Sequence, residues 1–170
     1  HASQPNAQPG DLRYVDVDGD GVIEFGSNDD LTVIGNPIPD YTMGFNLNLN
    51  LYQFDFGTSL YASLGNDVVR SYERFLTYSN KPDLYLDRWT GEGTSNTVPR
   101  ASNTASNNQL FSSFYVEDGS YLRIQNLQLG YSINPKFLER TRIDKFRIYV
   151  AVNNLYTFTD YSGYNPDVSN

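Results

Sequence analysis

Cysteine is absent from the 170 residues. Disulfide frameworks, thiolate metal sites and cysteine nucleophiles are therefore excluded, while the redox compartment stays open. Histidine occurs once, at His1, so a Ser-His-Asp triad would rest on a terminal residue. No run approaches the ~18 apolar residues that a membrane-spanning helix needs. Basic residues number 12 against 20 acidic ones, for a net charge of −8 and a pI of about 4.4. Phosphate backbones bind basic faces, so no nucleic-acid partner is expected. The opening HASQPNAQPG has neither a charged n-region nor an apolar h-region, so no signal peptide is expected there. Helical periodicity is nearly missing too.

Aromatic and small polar residues are plentiful. The chain has 14 Tyr and 10 Phe and a mean hydropathy of −0.51. Such a composition fits a secreted β-protein. It fits an outer-membrane barrel equally, because alternating strands average out on any hydropathy scale.

Period-2 alternation is the dominant signal. In TMGFNLNLNL (42–51), Met43, Phe45, Leu47, Leu49 and Leu51 share one face and Thr42, Gly44, Asn46, Asn48 and Asn50 the other. Only a strand separates side chains in this way. After a tight turn at Tyr52-Gln53, FDFGTSLYASLG places Phe54, Phe56, Thr58, Leu60, Ala62 and Leu64 opposite Asp55, Gly57, Ser59, Tyr61, Ser63 and Gly65. The pair reads as a long hairpin. About fifty residues with little pattern follow, from Asn66 to Gly119. The third strand, YLRIQNLQLGYSI (121–133), changes apolar parity at Gln125-Asn126, which predicts a bulge. A charged turn, NPKFLERTRIDK, with one helical turn after Pro135, leads to a fourth strand, FRIYVAVNNL.

The connections thus run short, long, short, as in outer-membrane barrels with tight periplasmic turns and long outward loops. The predicted fold is all-β: antiparallel transmembrane barrel strands with long extracellular loops. In that reading Asn46, Asn48, Asn50, Ser59, Tyr61 and Ser63 line the lumen. Met43, Phe45, Leu47, Leu49, Phe56, Leu60 and Leu64 meet outer-membrane lipid. The alternative is a soluble, calcium-stabilised extracellular β-domain that binds carbohydrate, its apolar faces meeting in a core. Four strands cannot close a barrel, so on the membrane reading residues 1–170 form part of a larger one.

Three loop features point to chemistry. DVDGDGVIEF matches part of a calcium loop: Asp16, Asp18 and Asp20 at alternate positions, Gly21 for the sharp turn, and the Val22 carbonyl as a ligand. The expected terminal Glu is replaced by Ser27, with Asp29 and Asp30 two and three residues later. A Ca²⁺ held there would fix a loop; without one the segment is an exposed acidic turn. Tyr85, Arg88, Trp89 and Arg100 offer stacking and charged groups for sugar or peptide, or serve to pack the loop on its neighbours. Tyr115, Tyr121, Tyr156, Phe158, Tyr161 and Tyr164 read as an aromatic girdle at the bilayer interface. No catalytic residue is expected: Glu92, Glu117 and Asp118 are carboxylates that nothing in the sequence brings together, and GEGTSN lacks the Lys and helix of a phosphate cradle.

Five segments in order resemble the SusC/RagA family of TonB-dependent transporters of Bacteroidota. They are PGDLRYVDVDGDGVI with DDLTVIGNPIPDYTMGFNLNLN, then FDFGTSLYASLGND, then DRWTGEGTSNTVPR, then YVEDGSYLR with IQNLQLGYSI, and last RIYVAVNNLYTFTDYSGYNPDV. The resemblance covers nearly the whole chain and matches the C-terminal part of the family's barrel. It implies a 22-stranded barrel with a plugged lumen in the bacterial outer membrane. It also implies a SusD-like surface lipoprotein as partner, import of glycans or peptides, and energy supplied by TonB through regions outside this chain. The plug, the TonB-contacting segment and the final aromatic-ended strand of that family have no counterpart here. The chain is therefore expected to be a piece of a longer polypeptide.

Overall fold

A computed structural model describes residues 4, 6–70, 83–102, 107–139 and 143–167; His1 and residues 168–170 lie outside them. The chain divides into two compact units, residues 35–68 with 117–170, and residues 1–34 with 69–116.

The first unit is built on one sheet of β1 (Tyr41–Leu51), β2 (Phe54–Leu64), β5 (Tyr121–Ser132) and β6 (Arg147–Thr159), antiparallel throughout and paired in that order. Two three-residue strands, β3 (Asp67–Val69) and β4 (Val116–Asp118), form a separate small sheet. β1 and β2 turn through Tyr52-Gln53, with Tyr52 at a left-handed φ of 52°. The Gln53 carbonyl accepts the Ser132 N–H at 2.8 Å, which ties the turn to the end of β5. β5 and β6 are joined by a turn holding a short helix, α1 (Pro135–Leu138), begun by Pro135 and capped by Asn134, whose side chain accepts the Lys136 N–H at 3.1 Å.

The register carries one apolar face across all four strands. Leu49, Phe56, Leu129 and Val150 form one row; Leu47, Thr58, Leu127 and Val152 the next; Phe45, Leu60, Ile124 and Tyr156 a third. Among the described residues of this unit no second layer covers that face: Leu49 is 53% exposed, Leu129 54% and Val150 68%. Polar residues occupy the opposite face, where Asn46 pairs with Ser59, Asn48 with Gly57 and Asn50 with Asp55.

The parity change in β5 is a bulge, as predicted. Gln125 is an extra residue relative to β2, since Ser59 pairs with Asn126 and Leu60 with Ile124. β6 adds one more residue, with Asn154 and Leu155 opposite Gln125 and Asn154 at φ 49°, a conformation that asparagine tolerates. Thr58, the one polar side chain in the apolar rows, donates its hydroxyl to the Asn126 carbonyl beside the bulge at 3.0 Å.

Three expectations need correction. The fourth strand does not end at Leu155; it continues through Tyr156-Thr157-Phe158-Thr159, because the bulge absorbs Asn154 and Leu155 and pairing resumes at Tyr156. Residues 66–119 are not structureless among the described residues: besides β3 and β4 they contain 3₁₀ turns at Asp83–Asp87, Asn107–Gln109 and Ser113–Tyr115. The aromatics expected to form one girdle do not all share a face. Tyr156 and Phe158 lie on the apolar face with ring centroids 4.7 Å apart, but Tyr121 sits on the polar face opposite Ser63, and Tyr115 is buried with its hydroxyl donating to Asn108 O at 2.6 Å. At the sheet's other end an unforeseen pair, Phe54 and Tyr131, packs at 4.9 Å.

Thr58→Val leaves the Asn126 carbonyl without its side-chain donor and should destabilise the protein by about 1–3 kcal/mol, whereas Thr58→Ser should remain close to wild type. Denaturant unfolding of the two variants checks this, and equal stabilities would remove the hydroxyl's role.

Candidate functional site

The acidic loop folds by local carboxylate-to-amide bonds, which short Asp side chains make readily. Asp16 accepts the Gly19 and Gly21 N–H groups at 2.7 and 2.8 Å, and Asp20 accepts that of Val22 at 2.8 Å. Gly19 and Gly21 stand at φ 81° and 89°, a region that side chains avoid. Asp30 returns to close the loop, accepting from Val17 N at 2.8 Å and Glu24 N at 2.9 Å. Asp16, Asp18 and Asp30 thereby bring one carboxylate oxygen each within 4.8 Å of one another. Asp20 and Asp29 lie outside this cluster. The Asp20 N–H bond favours the Asp18 carboxylate, but lost hydration, the charges of Asp20 and Asp30 and the Asp16 contact together hold its carboxyl above the usual range. The donor set is hard oxygen, the chemistry a Ca²⁺ ion takes. Beside it a concavity of about 330 Å³ is lined by Tyr14, Ile23, Phe25, Leu31, Leu110 and Phe111, with Tyr14 and Phe25 edge to face at 5.2 Å.

Of Tyr85, Arg88, Trp89 and Arg100, the last two meet at Gly10 and the first two bond to one another. Arg100 forms an ion pair with Asp11, Nε to Oδ1 at 2.7 Å, where the Asp11 side chain is only 7% exposed. Asn108 donates to the same oxygen at 2.9 Å and in turn accepts the Leu12 N–H at 2.8 Å. Trp89 lies over Gly10, at φ 86°, where a Cβ would overlap the indole ring. Arg100 N donates to the Gly10 carbonyl at 2.7 Å. Trp89 and Arg100 therefore clamp residues 8–12 against the long loop. Tyr85 belongs to the 3₁₀ turn Asp83–Asp87, and Arg88 stays exposed, its guanidinium donating to the Tyr85 carbonyl at 3.1 Å. Burial raises the Asp11 carboxyl, yet the bonds from Arg100, Gln8 and Asn108 and the Arg100 charge outweigh it, and the group rests below its ordinary value.

The six residues predicted for the lumen, Asn46, Asn48, Asn50, Ser59, Tyr61 and Ser63, fall together on the polar face. Three charged groups that sequence reasoning did not single out also belong to it. Asp55 on β2 and Arg147 on β6 form an ion pair across β5, Nε to Oδ1 at 2.9 Å. The strand between them presents Gly130 at that point, where a Cβ would overlap both side chains. At the other end Arg123 reaches Thr157 at 3.1 Å and Asp167 and Asn165 at 2.7 Å each, while stacking 4.8 Å over the Tyr121 ring. The polar parity of Asp55, Arg123 and Arg147 was visible in the sequence; partners 92 and 44 residues away were not.

Along 96% of its length the chain is 36% identical, over 166 residues, to the TonB-dependent receptor P3 of Formosa agariphila. It is 32% identical over 169 residues, again 96% of the chain, to the TonB-dependent receptor SusC of Bacteroides thetaiotaomicron. It spans 16% of the length of each. A solved structure of the RagAB peptide transporter shares the fold with a TM-score of 0.68 and 23% identity, over 89% of this chain and 17% of that one. The RagAB peptide importer in its open-open state gives 0.66 and 22%, over 84% and 16%. No family model matches. The relatives carry the names of receptors, none that of an enzyme.

Asp11, with its depressed folded value, stabilises the loop above its ordinary pKa of 3.8 and loses that contribution as pH falls below it. Amide-exchange protection at Gln8, Leu12 and Tyr14 should therefore fall in acid and be weak at every pH in Arg100→Ala. Protection unchanged in that variant would mean the clamp is not held by this ion pair.

Proposed function

The chain belongs to the SusC/RagA family of TonB-dependent receptors, and on that premise we propose that it supplies four membrane-crossing strands and outward loops of an outer-membrane importer. The observation that carries this reading is the face pattern. An apolar face runs across strands of 11 to 13 residues without a covering layer, and a polar face runs behind it. Strands of that length cross a bilayer, and a lipid-facing band with a polar interior is the arrangement of such barrels. The soluble alternative needs a second layer on the apolar face, and the exposures of Leu49, Leu129 and Val150 argue against one.

In this reading Asn46, Asn48, Asn50, Ser59, Tyr61 and Ser63 line the lumen. The cargo is an oligosaccharide or a peptide, delivered with a SusD-like surface lipoprotein and moved with energy from TonB through other parts of the polypeptide. Arg88 and the concavity beside Phe25 and Phe111 are the loop surfaces open to cargo, because Arg100 is committed to Asp11 and Trp89 to Gly10. Calcium, held by Asp16, Asp18 and Asp30, neutralises three clustered carboxylates and stiffens the loop before β1.

Leu47→Lys in the full-length protein should cost about 2–4 kcal/mol near the bilayer midplane, while Asn48→Lys should be tolerated. Equal tolerance, or recovery of the protein as a soluble monomer outside the outer-membrane fraction, would contradict the importer. Added Ca²⁺ should protect residues 16–30 from proteolysis, and Asp18→Asn with Asp30→Asn should abolish the protection. If a chelator leaves the wild-type cleavage pattern unchanged, the loop is held by its own hydrogen bonds alone.

A further inference from the structure

The polar face of the sheet is open along its middle and covered at the end away from the β1–β2 and β5–β6 turns. Asn46, Asn48, Asn50 and Asn153 are exposed, whereas Thr157 and Thr159 are half-buried and Ser63 and Tyr121 are buried. Part of that cover is the chain's own continuation. β6 ends at Thr159, whose hydroxyl donates to the Ser120 carbonyl at 2.8 Å and accepts the Tyr161 N–H at 3.1 Å. From this root residues 160–167 do not run on along the strand axis; they fold back over the polar face, so that Asp167 reaches the level of Thr157.

Glu117 and Arg123 hold the returning segment. Glu117 accepts the Ser162 N–H at 3.0 Å and its hydroxyl at 2.9 Å. Arg123, opposite Thr157 in the register, donates from one guanidinium nitrogen to Asp167 and from another to Asn165, each at 2.7 Å. The planar fork of a guanidinium suits two acceptors at once. Pro166, between those acceptors, is buried, and its ring fixes the backbone there. The bend between the two holding points is tight: a Cβ on Gly163 would overlap the Tyr161 ring, and Tyr164 beside it is fully exposed. The Asp167 side chain is 50% exposed. An ion pair so open to water adds little to stability, so this contact can break while the sheet stays intact.

We propose that residues 160–167 are a strap over the outward end of the lumen wall and that Arg123 is its releasable latch. Latched, the strap narrows the passage beside this wall; released, it swings about Thr159 and clears the wall. Arg123 is a positioning residue that acts through Asn165 and Asp167. The inference rests on the membrane-crossing reading of the strands, in which the polar face lines the lumen.

The test uses the full-length protein in nanodiscs, in a background free of other cysteines. Nitroxide labels on Tyr164→Cys, at the bend of the strap, and Asn48→Cys, on the open part of the wall, report their separation by pulsed electron paramagnetic resonance. The latched strap should give one narrow distance distribution. Arg123→Ala should broaden it and shift it to longer distances, and Asn165→Ala with Asp167→Ala should do the same with the wall side chains untouched. A heat-shifted electrophoretic band identical to wild type shows that each variant is folded. A distribution unchanged in either variant, or already broad in the wild type, overturns the strap. Single labels check the underlying reading separately: one on Leu47→Cys should be relaxed by oxygen and one on Asn48→Cys by an aqueous nickel chelate. Equal access of both reagents at both positions overturns the membrane reading and the strap's place in a lumen with it. Opposite preferences, together with a distance that ignores Arg123, overturn the strap alone.

Discussion

A single antiparallel sheet with one apolar face left uncovered allows no parity error, since a slip of one residue sends every later side chain to the wrong side. Four strands keep this discipline here, and the local oddities of the sheet follow from it. β5 changes parity in its sequence, so it must bulge at Gln125 to keep Leu122 and Ile124 on the same face as Leu127 and Leu129. The bulge disturbs the ladder, and Thr58 answers by donating to the Asn126 carbonyl. A backbone carbonyl turned away from water needs a donor within the protein. A threonine in the midst of an apolar row thus has a physical reason.

On the other face the same sheet uses absence of a side chain. Gly130 leaves room for Asp55 and Arg147 to meet over the intervening strand, tying β2 to β6 near the turn end. Arg123 does the corresponding work at the loop end, where it holds Asn165 and Asp167. Polar side chains can be joined this way on a face that has no apolar core to order it.

The loop unit achieves order differently. Few of its described residues are buried, Val98 and Tyr115 among them, and its coherence comes from polar clamps: Asp11 with Arg100 and Asn108, and the indole of Trp89 on Gly10. The residues that looked most suited to stacking on a ligand are the ones that hold the loop together. Aromatic rings and guanidinium groups suit both tasks, and sequence carries no term for which of them a neighbour 89 positions away has already engaged.

Alternation alone determined the strands, their faces, the tight hairpin and the place of the bulge, because side-chain direction in a strand repeats every two residues whatever surrounds it. The three alternating aspartates likewise announced an acidic loop. Tertiary structure decided which of the candidate carboxylates cluster, since loop closure brings Asp30 to Asp16 and Asp18 while Asp20 and Asp29 stay outside. It decided that Tyr121 turns to the polar face and that β6 runs on to Thr159, both consequences of pairing with neighbours. Local periodicity is written in consecutive residues, whereas register and ion pairs are set between strands that meet only after the chain has folded.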